Sequence, residues 1–183
     1  MTFNKKVYNL MCLIRNRKSL NIINKIARID DHNMIIPNLY LGNIKSANDI
    51  HFLKENNIQT IINCTENEPF HEYFDDKSKY RLNINDSRET HNINRFKEQI
   101  FEIIDLIDDS IINNKPVYVH CYWGLMRSAT VIASYLIKKY KLSSKDAITL
   151  VKEQRPMAIS SLYNFNEVLD LVEKNYLSTP GIN

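Results

Sequence analysis

The sequence predicts an α/β domain: a small, mostly parallel, twisted central sheet flanked by helices, with a helical extension ahead of it. Short runs at 58–63, 80–85 and 117–120 are rich in β-branched and aromatic residues and have the length of strands. Between and after them lie longer stretches whose apolar residues recur on the 3.6-residue period of helices, and strands alternating with helices build parallel sheets. In the stretch from Val117 to Ser128 a strand runs into a helix through a loop that begins with Cys121 and ends with Arg127. With 183 residues, 44% of them hydrophobic, the chain suffices for one well-buried domain plus an extension.

Residues 1–31 read as a basic amphipathic helical extension. Val7, Leu10, Met11 and Ile14 share one helical face, and Leu20, Ile23 and Ala27 continue a similar face after Arg15-Asn16-Arg17-Lys18. Such a helix packs on its own domain, serves as a dimerisation or docking arm, or lies on a membrane surface. The scatter of its basic residues weighs against the last. A folded domain is expected over 32–178 and a flexible tail over 179–183. Asp30 to Asn33 read as a linker. Residues 34–42 read as two short edge strands about a turn at Pro37-Asn38. A helix follows from Ser46 as N-cap, with Ala47, Ile50 and Leu53 on its apolar side.

The run 58–63 reads as a buried strand, and Cys64 at its end as a small buried residue. Residues 66–79 show no period and read as a surface loop bordering a site. Tyr80, Leu82 and Ile84 alternate as a strand, and Asp86 follows directly. Ile93, Phe96, Ile100, Ile103, Ile104 and Ile107 mark a long helix ending near Asn113. Beyond the Cys121 loop, Ala129, Ile132, Ala133, Leu136 and Ile137 mark another. Ser143 caps the next, which Arg155-Pro156 ends. Phe165, Val168, Leu169 and Val172 lie on the last.

Charge narrows the function. The net +3 is uneven: residues 1–29 carry Lys5, Lys6, Arg15, Arg17, Lys18, Lys25 and Arg28 and no acid, which leaves 17 basic against 21 acidic residues in the remainder. The body is therefore not a nucleic-acid-binding domain by charge. No apolar run reaches the length of a membrane span, and no secretory signal is expected at the N-terminus. Cys12, Cys64 and Cys121 form no disulfide framework. The five His fall at no metal-ligand spacing, so no metal site and no cofactor are expected.

The loop from Cys121 to Arg127 has the chemistry of an anion trap. A strand entering a helix aims backbone N–H groups and the positive end of the helix dipole at one spot. Gly124 lets the backbone wrap tightly. Arg127 offers a planar fork that fits two phosphate oxygens. In such a field Cys121 is expected to be a thiolate, the nucleophilic form. A Cys followed six residues later by Arg arises by chance about once in ten chains of this length, and requiring His120, Gly124 and Ser128 as well lowers that by about four orders of magnitude.

The pattern His120-Cys121-x-x-Gly124-x-x-Arg127-Ser128 resembles the phosphate-binding loop of the protein tyrosine phosphatase superfamily. Together with the small size and "Leu-Tyr-Leu-Gly" at 39–42, it resembles the dual-specificity phosphatases within it. The resemblance covers roughly 34–176. It implies hydrolysis of phospho-Tyr and phospho-Ser/Thr through a cysteinyl-phosphate. Cys121 would be the nucleophile, and Arg127 with the N–H groups of Tyr122, Trp123, Gly124, Leu125 and Met126 the phosphate cradle. Ser128 would donate to the departing thiolate or cap its helix. Asp86 follows a strand, and parallel strands bring their C-terminal ends to one rim. In the family that rim loop carries the Asp that protonates the leaving alcohol; Asp75 and Asp76 are the runners-up. His120 is expected to orient the loop by hydrogen bonds, and Arg155 and Asn164 to brace it from behind.

Trp123 and Met126 depart from the usual pattern. They are expected to splay outward as an apolar rim, which keeps open a phosphoprotein-binding module without turnover. A rhodanese-like sulfur transferase shares the Cys-x5-Arg loop, but Gly124 and the Asp86 loop argue against it. A catalytic thiolate fits a reducing, cytoplasmic compartment, with nucleus or virion left open. The implied partners are a phosphoprotein substrate and a second copy joined through the N-terminal helix, as in some virus-encoded members.

Overall fold

The computed structural model describes residues 30–87, 89–160 and 165–177. The expected N-terminal helix, apart from its last two positions, and the tail at 179–183 lie outside the described residues. The elements in chain order are β1 (His32–Ile36), β2 (Leu39–Gly42), α1 (Ile44–Ala47), α2 (Ile50–Glu55), β3 (Thr60–Asn63), β4 (Lys79–Arg81), α3 (Thr90–Ile112), β5 (Val117–His120), α4 (Arg127–Tyr140), α5 (Ser144–Gln154) and α6 (Asn166–Leu177). The five strands form one sheet in the order β1-β2-β5-β3-β4. Only the β1–β2 pair is antiparallel; β2–β5, β5–β3 and β3–β4 are parallel. This is the mostly parallel, helix-flanked sheet that the strand–helix alternation predicts.

Four details differ from the sequence reading. Asp30 and Asp31 are not part of a loose linker: Asp31 O accepts from Asn43 N at 2.9 Å, and Asp30 O from Arg155 Nη1 at 2.8 Å. β2 is not an edge strand, because β5 pairs along its far side. Ser46 caps no helix. Asn43 caps α1 and Asp49 caps α2, each accepting from backbone N–H groups of the first turn, while Ser46 Oγ meets His32 Nδ1 at 2.8 Å. The strand expected at 80–85 stops at Arg81. Its neighbour β3 ends at Asn63, whose carbonyl takes the last ladder bond from Leu82 N at 3.0 Å. Beyond that point β4 has nothing to pair with, although Leu82 and Ile84 remain fully buried.

Helix α4 is the spine of the core. Every residue from Arg127 to Ile137 is buried. It packs on β5 and β2 and against α3, α5 and α6. A helix enclosed in this way presents no solvent face along those turns. Its position fixes the loop before it, because β5 lies at the sheet centre and α4 beneath the sheet. β3 and β5 run in register, with Asn63 opposite His120, so their C-terminal ends meet at one rim.

Candidate active site

The rim holds Cys121, the first residue after β5. Its sulfur accepts from Gly124 N at 3.2 Å and from Ser128 Oγ at 3.3 Å. Burial would raise the Cys121 thiol and Asp86 nearby adds to that. The Arg127 guanidinium and the Ser128 hydrogen bonds outweigh both and bring it below its ordinary value. Cys64, at the end of β3, shows the contrast. It is fully buried, and burial first, then the charge of Cys121, pushes its thiol well up. It is the inert cysteine expected from the sequence.

The loop between Cys121 and Arg127 is held open by its carbonyls. Tyr122 O accepts from Ile44 N at 3.2 Å and Leu125 O from Ile159 N at 2.8 Å. Between them, Trp123 O and Gly124 O accept from Arg155 Nη2 at 3.2 Å and Arg155 Nε at 2.7 Å. In a trans peptide the N–H opposes the C=O. Turning four successive carbonyls outward therefore turns the N–H groups of Trp123, Gly124, Leu125 and Met126 inward, over the sulfur. Gly124 is required for this path: its φ is +69°, and a Cβ there would overlap the Gly42 backbone. Met126 precedes α4 without a side-chain cap, so the first N–H groups of that helix also face the loop.

Arg127 lies across the top of this hollow and is only 6% exposed. Its Nη1 donates to Ile84 O at 3.1 Å, and its Nη2 meets Asp86 Oδ2 at 3.4 Å. Its Nε is buried and finds no acceptor among the described residues. Burial opposes its charge, but Cys121 and Asp86 hold it protonated, above the ordinary arginine value. Asp86, half-exposed, thus joins Cys121 and Arg127 at one rim, as the strand order predicts. Asp75 and Asp76 do not join them; they bond to Ser78 and Lys79 in their own loop.

Arg155 lies behind the loop and bonds to its carbonyls. It is 1% exposed and holds, besides the two loop carbonyls, Asp30 O and Asn33 Oδ1 at 2.6 Å. Asn164 lies outside the described residues. His120 does not act as expected. Its ring is fully buried and stacks parallel to Tyr118 with centroids 5.6 Å apart; among the described residues its nitrogens make no well-aligned hydrogen bond and only approach the Cys121 backbone. Burial lowers its pKa to about 3, offset only in part by the Cys121 backbone, so it is a neutral packing group. Its part in the loop is its carbonyl, which accepts from Cys64 N at 2.8 Å.

The apolar rim is also overturned. Trp123, Leu125 and Met126 are buried in the core. The loop carbonyls are claimed by partners away from the sulfur, and the bulky side chains belong to the hydrophobic core. Only Tyr122 is half-buried, edge-on to Trp123. The feature that kept a binding-only loop open is therefore ordinary packing. Two residues escaped the sequence reading. Arg81 donates to Thr65 O, Glu66 O and Glu68 O and stacks over Phe70, which orders the loop after β3. Asn92, in the first turn of α3, bonds to the backbone on either side of Asp86. An Asn just inside a helix start was the available signal, since Asn there competes for nearby backbone groups.

Among the described residues no group of three His, Cys, Asp or Glu could hold a metal ion, and no helix is long and apolar enough to cross a membrane. Positive charge and inward donors at this spot are those of Arg127 and the loop amides. A thiol held below its ordinary pKa at the floor of an amide-lined hollow, with an arginine above it and a carboxylate at the rim, is the arrangement of the cysteine-dependent phosphatases.

Comparison with known proteins bears this out. Residues 39–175 match the profile of the dual specificity phosphatase catalytic domain, and the chain belongs to that family. It is 38% identical over 138 residues to human dual specificity protein phosphatase 9, covering 74% of this chain and 35% of that one. It is 29% identical over 182 residues to dual specificity protein phosphatase 1 of Arabidopsis thaliana, covering 96% of this chain and 85% of that one. The solved structure of human DUSP28 has the same fold, with a TM-score of 0.71 at 20% identity over 82% of this chain and 97% of that one. The chain spans 19–38% of the length of the human and rodent dual specificity protein phosphatases 6, 8, 9 and 16 that it matches.

Proposed function

We propose that this chain is a protein phosphatase that hydrolyses phospho-Tyr and phospho-Ser/Thr through a cysteinyl-phosphate intermediate. The observation that carries it is the hollow over Cys121: a lowered thiol facing four inward N–H groups and a buried Arg127 Nε without an acceptor. Three equatorial phosphate oxygens satisfy those donors, and the same donors stabilise the charge of the transition state. The Cys121 thiolate forms the S–P bond as the P–O bond to the substrate alcohol breaks. Asp86 gives its proton to the leaving oxygen. Water then attacks phosphorus, Asp86 takes its proton, and the sulfur leaves as thiolate with Ser128 Oγ donating to it. A phosphate oxygen competes with Asp86 for Arg127 Nη2, so substrate binding frees the carboxyl that the reaction needs.

The test is hydrolysis of an aryl and an alkyl phosphate in the presence of chelator. Cys121→Ser is expected to abolish turnover of both. Asp86→Asn is expected to slow the alkyl ester by about 10²-fold or more, within the usual range for general acid catalysis, and the aryl ester far less, because its leaving group needs less protonation. No turnover by folded wild type would sink the proposal. The reading includes a phosphoprotein substrate, a reducing cytoplasmic compartment, and residues 1–31 as a helical arm that pairs two copies. Sedimentation of the chain with and without residues 1–29 tests the arm: a dimer that becomes a monomer supports it, and an unchanged mass removes it.

A further inference from the structure

The acid loop has a second anchor that the reaction as described does not use. Asn92 is 1% exposed. Its Oδ1 accepts from Asn85 N at 2.9 Å, and its Nδ2 donates to Asn85 O at 2.6 Å and to Ser87 O at 3.0 Å. These groups flank Asp86 on both sides, so one side chain spans the residue that carries the carboxyl. From the other direction Arg127 Nη1 holds Ile84 O. The segment needs such a clamp because β4 has already ended and no strand pairs with it. Helix α3 starts behind Glu89 without a side-chain cap, so Asn92 is turned back to the loop and not to its own helix.

We propose that Asn92 is the positioning residue for Asp86. By fixing the peptide units on both sides, it presets the carboxyl at the rim over Cys121, so that proton transfer to the leaving oxygen does not wait for a loop to close. The inference rests on the reading of Asp86 as the acid. It predicts an effect confined to the step in which that proton moves. Nucleophilic attack and phosphate binding depend on the Cys121 loop, to which Asn92 makes no hydrogen bond among the described residues.

The experiment compares wild type, Asn92→Ala, Asp86→Asn and the double variant on esters of rising leaving-group pKa. Inorganic phosphate as competitive inhibitor reports the cradle. Asn92→Ala is expected to lower kcat for an alkyl phosphate by about tenfold or more while leaving a good aryl leaving group within about twofold, as a misaligned general acid does. KM and phosphate inhibition should stay at wild type. In the double variant Asn92→Ala should cost nothing beyond Asp86→Asn, because both act on one proton. Asn92→Asp keeps the acceptor and loses both donors, and is expected to fall with Asn92→Ala. Thermal melting checks that each variant is folded. If Asn92→Ala fails to fold, Asn92→Asp carries the comparison.

Equal loss on all leaving groups, weaker phosphate inhibition, or losses that multiply in the double variant would make Asn92 a fold residue and overturn the proposal. So would wild-type rates on the alkyl ester. If instead Asp86→Asn itself shows no leaving-group dependence, the acid has been misassigned. That failure is read from a different variant.

Discussion

The two loops that meet at the rim are built on opposite terms. The Cys121 loop lies between the central strand and the most buried helix. Each carbonyl from Tyr122 to Leu125 has its own partner, drawn from α1, the Ile159 turn and Arg155. The Asp86 loop hangs from the edge strand, after only three paired residues. It is held by Asn92 and by Arg127, the residue proposed to bind phosphate. The proposed nucleophile and its cradle are fixed by buried backbone whose carbonyls from Tyr122 to Leu125 are all paired. The acid is fixed by two side chains at an open margin. The first arrangement resists any single loss poorly in stability terms, since each partner is buried. The second gives way in one step of the reaction while the fold stands.

Arg155 is the place to break the first loop, and the largest effect is expected there. Arg155→Met leaves Trp123 O and Gly124 O without their donor in a buried site and removes the donor to the carbonyl of exposed Asp30. Unsatisfied buried carbonyls cost about 1–3 kcal/mol each, so the two loop carbonyls lead to an expected loss of about 2–6 kcal/mol in unfolding free energy. Activity should fall on every leaving group alike, by about 10²-fold, because a cradle displaced by an ångström affects all substrates. Denaturant unfolding and kcat/KM on an aryl and an alkyl ester measure both. A leaving-group-dependent loss like that expected of Asp86→Asn would erase the distinction between the loops.

The same contrast explains what was legible in the sequence. The Cys121 loop is a local object: strand, Gly124, Arg127 and helix are contiguous, and their spacing carries the geometry. Asp86 could be found because it follows a run of alternating apolar residues, even though that run pairs for only half its expected length. The alternation of Leu82 and Ile84 marks burial, and burial does not require a strand partner. What escaped depends on contacts distant in sequence. The outward carbonyls are claimed by Ile44, Arg155 and Ile159, and no period marks such partners. For Trp123 and Met126, residue type alone said bulky and apolar; which side of the loop is core was decided by the carbonyl partners. His120 was read as a polar group and is a ring packed on Tyr118. Ser46 and Asp49 both stand at plausible helix starts, and a one-turn helix before α2 shifted the cap.

The smallest effect separates the sulfur's electrostatics from the loop's shape. Ser128 sits in the buried first turn of α4, donates to Cys121 Sγ and makes no hydrogen bond to the Asp86 loop among the described residues. Ser128→Ala removes a donor to the thiolate and leaves every loop carbonyl paired. The Cys121 pKa should rise toward the ordinary thiol value while Arg127 keeps it partly depressed. Alkylation of Cys121 by iodoacetamide across a pH series reads this directly: wild type should react at lower pH than an ordinary cysteine, and the variant should need higher pH. The linkage has the same sign. A thiol depressed in the folded state contributes stability that is complete above the unfolded thiol's pKa and is lost as pH falls through the folded value, so the variant should lose less on acidification over that window. Turnover should drop by only about 3–10-fold, the net worth of one ordinary hydrogen bond. It should drop for aryl and alkyl esters alike, because breakdown of the phosphoenzyme is common to both. An alkylation profile that does not move would mean that Arg127 alone sets the thiolate and that Ser128 merely fills space beneath it.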